Sequence, residues 1–430
     1  MKVISKIKEK IKGNNILRNT IILFSGQTFA SIIGIVNTML IIKAIGLEGN
    51  GIIAVVMSYA NIFNGIFNFQ SYNAVIKYGS EALEKKSKYK YKQVLKQAFL
   101  QDILTAILAF ICGYLSIGIV AKIMKWDAQV IFFIKIYLIT ILLNITGVFS
   151  GILRLHDRFI VIAKLNIKVN FGRLLLIILG IIFRLPLTYY VVSEVLLTIL
   201  SSFILIYNSI RVLKKEECID FLKVKIGFDK EFTKFNFYNN IVSTIDLPVG
   251  QLVTLIINKF VGVTEVGIYS ILLKLGSIIS KVTEPMGQTL LPELSKLISK
   301  DEINKAKQIA NKILVYTNIL GGIAILALVI ISPIWFELFM PLTFKNLTLF
   351  ITYMIYIAFS SSLIGIHAFF VGMNLVKYNL IIVASVNIIY LILVVILGIK
   401  LGLFGVIISL IIQVVMVGAL KLVIIRKNRI

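Results

Sequence analysis

Long apolar runs dominate this chain, and they leave its backbone few options. In hydrocarbon every N–H and C=O must find a partner inside the protein, so runs of about 20 apolar residues fold as spanning helices. Twelve such runs are predicted, at 18–45, 51–76, 97–121, 128–153, 159–183, 188–210, 236–260, 265–295, 313–336, 347–371, 378–398 and 402–424. The runs are continuous, not alternating, which excludes an outer-membrane barrel. The composition agrees: 58% of the 430 residues are hydrophobic, and the mean hydropathy is +0.95. No cleavable signal peptide is expected, because the basic N-terminus leads into a run of spanning length. Cys112 and Cys218 fit no metal or disulfide spacing.

The net charge of +25 would suggest nucleic acid on a soluble chain. Here its distribution gives a simpler cause. Of the 45 basic residues, 34 fall at the N-terminus, in the even-numbered loops and at the C-terminus, where Lys421, Arg426, Lys427 and Arg429 are counted. Seven fall on the opposite side: Lys43, Lys122, Lys125, Arg184, Lys259, Lys345 and Lys400. The positive-inside rule then predicts both termini in the cytoplasm and excludes nucleic acid as a partner. The loops are too short for a soluble catalytic domain. There is no P-loop motif, so no direct use of ATP is expected.

A second feature organises the spans. Ile41, Lys43, Gly46, Gly51 and Ile52 return as Ile257, Lys259, Gly262, Gly267 and Ile268, at a constant offset of 216. Gly34 and Gly250 share that offset, and Gly151, Ala163 and Asn166 return as Gly372, Ala384 and Asn387 at an offset of 221. Six spans per half is an even number, so the halves enter the membrane with the same sense, as parallel repeats. Gly46 and Gly51 are expected to form a tight outer hairpin, since glycine tolerates positive φ. The expected division is a cytoplasmic segment 1–17, an N-lobe 18–213, a linker 214–235, a C-lobe 236–425 and a tail 426–430.

With these residues in view, the chain resembles the Wzx-type oligosaccharide flippases of the MOP superfamily, which also holds the MATE exporters and MurJ-like flippases. The likeness rests on Asn19-Thr-Ile-Ile-Leu-Phe-Ser-Gly-Gln-Thr, on Gly46-x4-Gly51 and its Gly262-x4-Gly267 copy, and on the Gly402-Leu-Phe-Gly405 hairpin. The resemblance implies an all-α integral membrane fold, with about twelve transmembrane helices in two parallel six-helix lobes around a central cavity. It implies a transporter, not an enzyme, in the bacterial cell membrane. It also implies a polyprenyl-diphosphate-linked glycan as substrate, alternating access as mechanism, and other membrane proteins of polysaccharide assembly as candidate partners. No cofactor is expected.

Charges inside a bilayer are costly and normally face a cavity or a partner. The interior bases are Lys135, Arg173, Lys274 and Lys281, and a diphosphate stripped of water needs such donors. Each has a bland alternative in snorkelling or an internal ion pair. Asn61, Asn64 and Asn68 share one helical face and suit either sugar hydroxyls or helix–helix hydrogen bonds. Gln27, Asn37 and Gln70 are the other polar groups of the first two spans. The interior acids are Glu194, Asp246 and Glu284. Asp246 precedes Pro248 and Gly250, where a kink is expected, and it is the first candidate for ion coupling. His156 and His367 have no metal-ligand spacing and are read as structural. The competing readings are a MurJ-like lipid II flippase, a MATE-like drug exporter, and a membrane-embedded polymerase or acyltransferase.

Overall fold

The computed structural model describes residues 15–69, 71–339 and 344–427. The side chains of 15–24, of 278–289 and of several positions between 291 and 345 lie outside that description. Gln70, Lys281 and Glu284 are therefore outside the described side chains.

The described chain is helical almost throughout. In order it comprises α1 (Asn15–Phe67), α2 (Tyr72–Glu84), α3 (Lys88–Met124), α4 (Ala128–Leu142) and α5 (Thr146–Leu155). There follow α6 (Phe159–Ile182), α7 (Leu187–Lys215), α8 (Lys230–Ile245), one π-helical turn (Pro248–Leu252) and α9 (Val253–Phe260). The remainder is α10 (Val263–Ile298), α11 (Ile303–Phe339), α12 (Phe344–Ser362), α13 (Ile364–Gly372), α14 (Val376–Leu401) and α15 (Leu403–Lys427). Among the described residues nine helices are long and apolar enough to cross a membrane, or ten when the bent pair α4–α5 is one span. One of the nine, Ser25–Glu84, contains two of the predicted spans, because the helical conformation breaks at Gly46 (φ 73°, ψ 177°). Residues before that break approach α6, with Gly26 against Ala163 and Gly34 against Asn170. Residues after it run back down, Tyr59 bonding Gly113 and Asn64 bonding Asn144.

Several predicted spans are not single helices. The second stops at Phe67 and resumes at Tyr72, the fourth bends by 44° between α4 and α5, and the tenth breaks between α12 and α13. The seventh starts earlier than predicted, at Lys230, and where a kink was expected it carries one π-helical turn within a continuous span, with Gly250 N–H donating to the Asp246 carbonyl (3.1 Å).

At three of these places a side chain from another helix bonds a backbone group beside the break. Asp102, buried in α3, accepts from Val148 N–H (2.8 Å) at the start of α5. Asn240 donates to the Gly65 and Asn68 carbonyls (3.1 and 2.7 Å) at the end of α1. Asn387 donates to the Ile245 carbonyl (2.6 Å) ahead of the π-helical turn. Gly147 is small because a Cβ there would strike Ser71 Oγ and the Asp102 carboxylate.

The chain forms two compact units, one of residues 1–37 and 56–244, the other of 38–55 and 245–430. In the first, a core of Val75, Tyr91, Leu95, Ile152 and Leu213 takes in Cys218 and Phe221 from the segment after α7. That segment is pinned to α3 by Lys88–Glu217 (2.7 Å), Lys92–Asp220 (2.5 Å) and a two-way bond between Gln97 and the Asp229 backbone. His156 sits in the same corner, its Nε2 3.1 Å from the Tyr91 hydroxyl and its Nδ1 3.8 Å from Glu216. Burial holds the His156 pKa below its ordinary 6.5, with Glu216 opposing.

In the second unit the repeated segment meets its own copy. A Cβ on Gly51 would run into the Val263 carbonyl, and a Cβ on Gly267 into the Leu47 carbonyl. Leu47 and Val263 are themselves related by the offset of 216, so the contact is reciprocal. Asn50 Nδ2 adds bonds to Ser270 Oγ (2.7 Å) and the Gly267 carbonyl (3.4 Å). The repeated glycines thus divide the work. Gly46 and Gly262 take positive φ (73° and 137°), whereas Gly51 and Gly267 are helical and permit close backbone approach. The expectation that Gly51 serves the turn through positive φ is corrected accordingly.

Two predictions follow from this packing. Gly51→Val should lower the melting temperature of the detergent-solubilised protein, at a cost of about 1–3 kcal/mol for overpacking. Gly250→Ala, which meets open space, should leave it unchanged. Equal melting of the two variants would refute the contact. Second, a histidine with a depressed folded-state pKa lets the unfolded chain bind more protons below pH 6.5. Stability should therefore be full above that pH and fall on acidification toward the folded-state value. His156→Gln should remove that part of the pH dependence in thermal scans.

Candidate functional site

Each unit holds a cavity with polar groups on part of its wall. In the first, α6 supplies Asn166, Asn170 and Arg173, whose spacing of four and three sets them on one face. α7 supplies Glu194, Thr198, Ser201 and Ser202 in the same manner. Arg173 forms a two-pronged bond to Glu194, Nε to Oε1 at 2.6 Å and Nη2 to Oε2 at 2.8 Å, and its Nη1 donates to Asn170 Oδ1 (3.2 Å). Asn37 Nδ2 fixes the Asn170 carbonyl (3.0 Å). The break between α4 and α5 adds Asn144 and Thr146, which bond each other and, through Asn144, Asn64 (2.5 Å). Asn144, Thr146, Asn166, Asn170, Arg173 and the three α7 hydroxyls line a cavity of about 340 Å³, and Glu194 stands behind Arg173, outside the lining. Glu194 is nearly buried and Arg173 is about one-fifth exposed. Removing one partner of such a pair strands the other charge and costs about 3–5 kcal/mol, whereas replacing both with apolar groups is often neutral.

The second unit holds a larger cavity of about 620 Å³. Asp246, at the π-helical turn, is exposed to it, with Tyr356, Ser360 and Ser361 of α12, His367 of α13, and Gln413 and Lys421 of α15. Lys421 is 6% exposed. Its Nζ lies 3.0 Å from His367 Nδ1, so that nitrogen accepts and the ring proton sits on Nε2. Gln413 donates to Asn387 Oδ1 (3.0 Å), and Asn387 holds the Ile245 carbonyl beside Asp246. The cavity thus gathers an acid, an ammonium and an imidazole between helices that are otherwise apolar.

The predicted site residues distribute as follows. Arg173 and Glu194 come together. Asn64 bonds Asn144, and the carbonyl of Asn68 accepts from Asn240. Asn61 is half-buried on the same helix. Lys135 is exposed on α4, 6.0 Å from the Tyr114 ring centre, and Lys274 is exposed on α10. Asp246 lines the larger cavity. Lys281 and Glu284 lie outside the described side chains.

The structure adds two residues to the larger cavity that the sequence did not place there: Lys421, counted above with the C-terminal bases, and His367, read as structural. The signal was available: Gln413, Val414, Val417, Gly418 and Lys421 recur at helical spacing and make one face of α15. Asp102 was passed over although a lone acid in an apolar run is always costly. No group of three or more metal-ligating side chains occurs among the described residues.

The fold is that of an all-helical, multi-pass membrane protein with a cavity in each compact unit. Residues 16–298, well over half the chain, match the model of the polysaccharide biosynthesis protein family, and the chain belongs to that family. It is 26% identical over 148 residues to the inner membrane protein YghQ of Escherichia coli (strain K12), a match covering 34% of this chain and 42% of that protein. Its fold is similar to a solved structure of the lipid II flippase MurJ in an inward closed conformation, with a TM-score of 0.69 at 16% identity over 94% of this chain and 87% of that one. An inward-facing multidrug resistance MATE transporter gives 0.67 at 14% identity, over 91% and 94%. A MOP-superfamily transporter from Pyrococcus furiosus gives 0.66 at 13%, over 96% and 95%.

The buried pair supplies a stability prediction. Glu194→Leu alone should destabilise the protein by about 3–5 kcal/mol, and adding Arg173→Met should restore most of that loss. Additive losses in a thermal double-mutant cycle would show that the two charges do not depend on each other.

Proposed function

We propose that this protein is a flippase that carries a polyprenyl-diphosphate-linked oligosaccharide from the cytoplasmic to the outer leaflet of a bacterial cell membrane, by alternating access, with both termini in the cytoplasm. The observation that carries the reading is the pair of cavities with charged and polar side chains on their walls, between apolar helices, in a member of the polysaccharide biosynthesis family. Burying amides, hydroxyls and charges inside spans is costly, and a polar cargo that must cross the bilayer gives that cost a use. The similarity to a lipid II flippase fold supports the same reading.

In this proposal Lys274, Lys281 and Lys135 are the candidate diphosphate donors. Arg173 takes a lesser part because Glu194 already neutralises it. Asn61, Asn64 and Asn68 serve glycan hydroxyls. Asp246 is the ion-coupling acid, acting with Lys421 and His367 around the same cavity; Glu284 is a second candidate, and Glu194 is occupied by Arg173.

Deleting the gene and extracting lipids tests the class of substrate. One polyprenyl-linked oligosaccharide should accumulate in the cytoplasmic leaflet. Unchanged lipid-linked glycans with altered drug resistance would favour a drug exporter instead. Complementation with Asp246→Asn or Lys274→Ala should restore protein to the membrane but reduce export about tenfold or more. Normal export in both variants would remove these residues from the mechanism.

A further inference from the structure

The cavity of the first unit says more about its ligand than its size does. At about 340 Å³ it lies at the lower end of the small-molecule range, enough for a monosaccharide or disaccharide portion. Beside Leu205, its α7 wall carries three hydroxyls whose protons are already committed. Thr198 donates to the Glu194 carbonyl (2.8 Å), and Ser201 and Ser202 donate to the Thr198 carbonyl (2.8 and 3.1 Å). What remains to offer a ligand is oxygen lone pairs, which are acceptors. An anion has nothing to donate to such a wall, whereas a sugar hydroxyl does.

The opposite corner is a donor whose charge is cancelled. Three of the Arg173 donor nitrogens are engaged, two by Glu194 and one by Asn170, and Arg173 faces the cavity with its counter-charge already attached. Its remaining N–H groups can donate to a neutral oxygen. An acidic ligand would have to compete with a carboxylate bound at two points. Asn166, which also lines the cavity, makes no side-chain hydrogen bond among the described residues and offers both a donor and an acceptor. Its repeat counterpart Asn387 is instead consumed in holding Ile245.

We propose that this cavity is a subsite for an uncharged sugar residue of the cargo, selecting against acidic sugars and leaving the diphosphate to other groups. The inference rests on the flippase reading for its place in transport, but its ligand preference is measured separately.

The experiment uses the full-length protein in nanodiscs and saturation-transfer difference NMR. The probes are methyl glucoside against methyl glucuronide, and methyl galactoside against methyl galacturonide, each pair differing at C6 alone. At least one neutral member should give a signal about fivefold or more above its acidic partner, and Asn166→Leu or Thr198→Val should suppress it. Glu194→Gln keeps the side-chain shape but releases the Arg173 charge, so it should shift the ratio toward the acidic probes. Melting temperatures of the variants verify that they are folded. Acidic probes binding as well as neutral ones, no neutral probe binding, or a Glu194→Gln ratio equal to that of the parent would each overturn the proposal. A lack of lipid accumulation on gene deletion would sink the flippase reading and leave the measured preference standing. Accumulation together with an acidic preference would sink the subsite alone.

Discussion

Backbone hydrogen bonding in a medium without water is the constraint on which the rest of this structure depends. A helix satisfies that constraint by itself, and a broken helix does not. This protein breaks its helices repeatedly: after Phe67, between Leu142 and Thr146, around Pro248–Leu252, and at Leu363. At three of these places a polar side chain from another helix takes over a freed backbone group: Asn240 for Gly65 and Asn68, Asp102 for Val148, Asn387 for Ile245. The polar side chains inside the spans are therefore partly structural, and the breaks and the cavities are one feature. Asn144 and Thr146 belong to a break and line the smaller cavity; Asp246 accepts within the π-helical turn and is exposed to the larger one.

The same economy governs charge. Arg173 and Glu194 neutralise each other across α6 and α7, and Lys421 is buried against a neutral imidazole nitrogen with Asp246 in the same cavity. An isolated buried charge is expensive in any protein and more so between apolar helices. The two units solve the problem differently. The first ties its charges into a closed pair and presents amides and hydroxyls. The second keeps an acid, an imidazole and an ammonium around one larger space.

The repeated glycines show how much of this was legible. Their spacing announced two related halves, and positive φ at Gly46 and Gly262 agrees with the turn expected there. Their second members serve another purpose, reciprocal backbone contact with Leu47 and Val263. A turn glycine can be read from local order, because its cause lies in its own backbone. A contact glycine cannot, because its cause is a chain segment more than 200 residues away. The helix breaks at Phe67 and Leu142 were missed for a related reason: each falls within a stretch of spanning length, and the side chains that cover the freed backbone groups come from elsewhere.

The sequence by itself determined that this is an all-helical membrane protein and where most of its spans lie. The span positions follow from hydropathy and periodicity, which act locally along the chain; of the ionisable residues, Arg173 and Glu194 were read inside spans, whereas the buried Asp102 and Lys421 were not. Only the tertiary structure decided how the ionisable residues combine. It joined Arg173 to Glu194, drew Lys421 out of the C-terminal basic cluster to meet His367, and assigned Asp102 to the start of a helix 46 residues away. Partners of buried charges are chosen by which helix faces meet, and that choice is made by packing between distant segments, not by the order of residues within one.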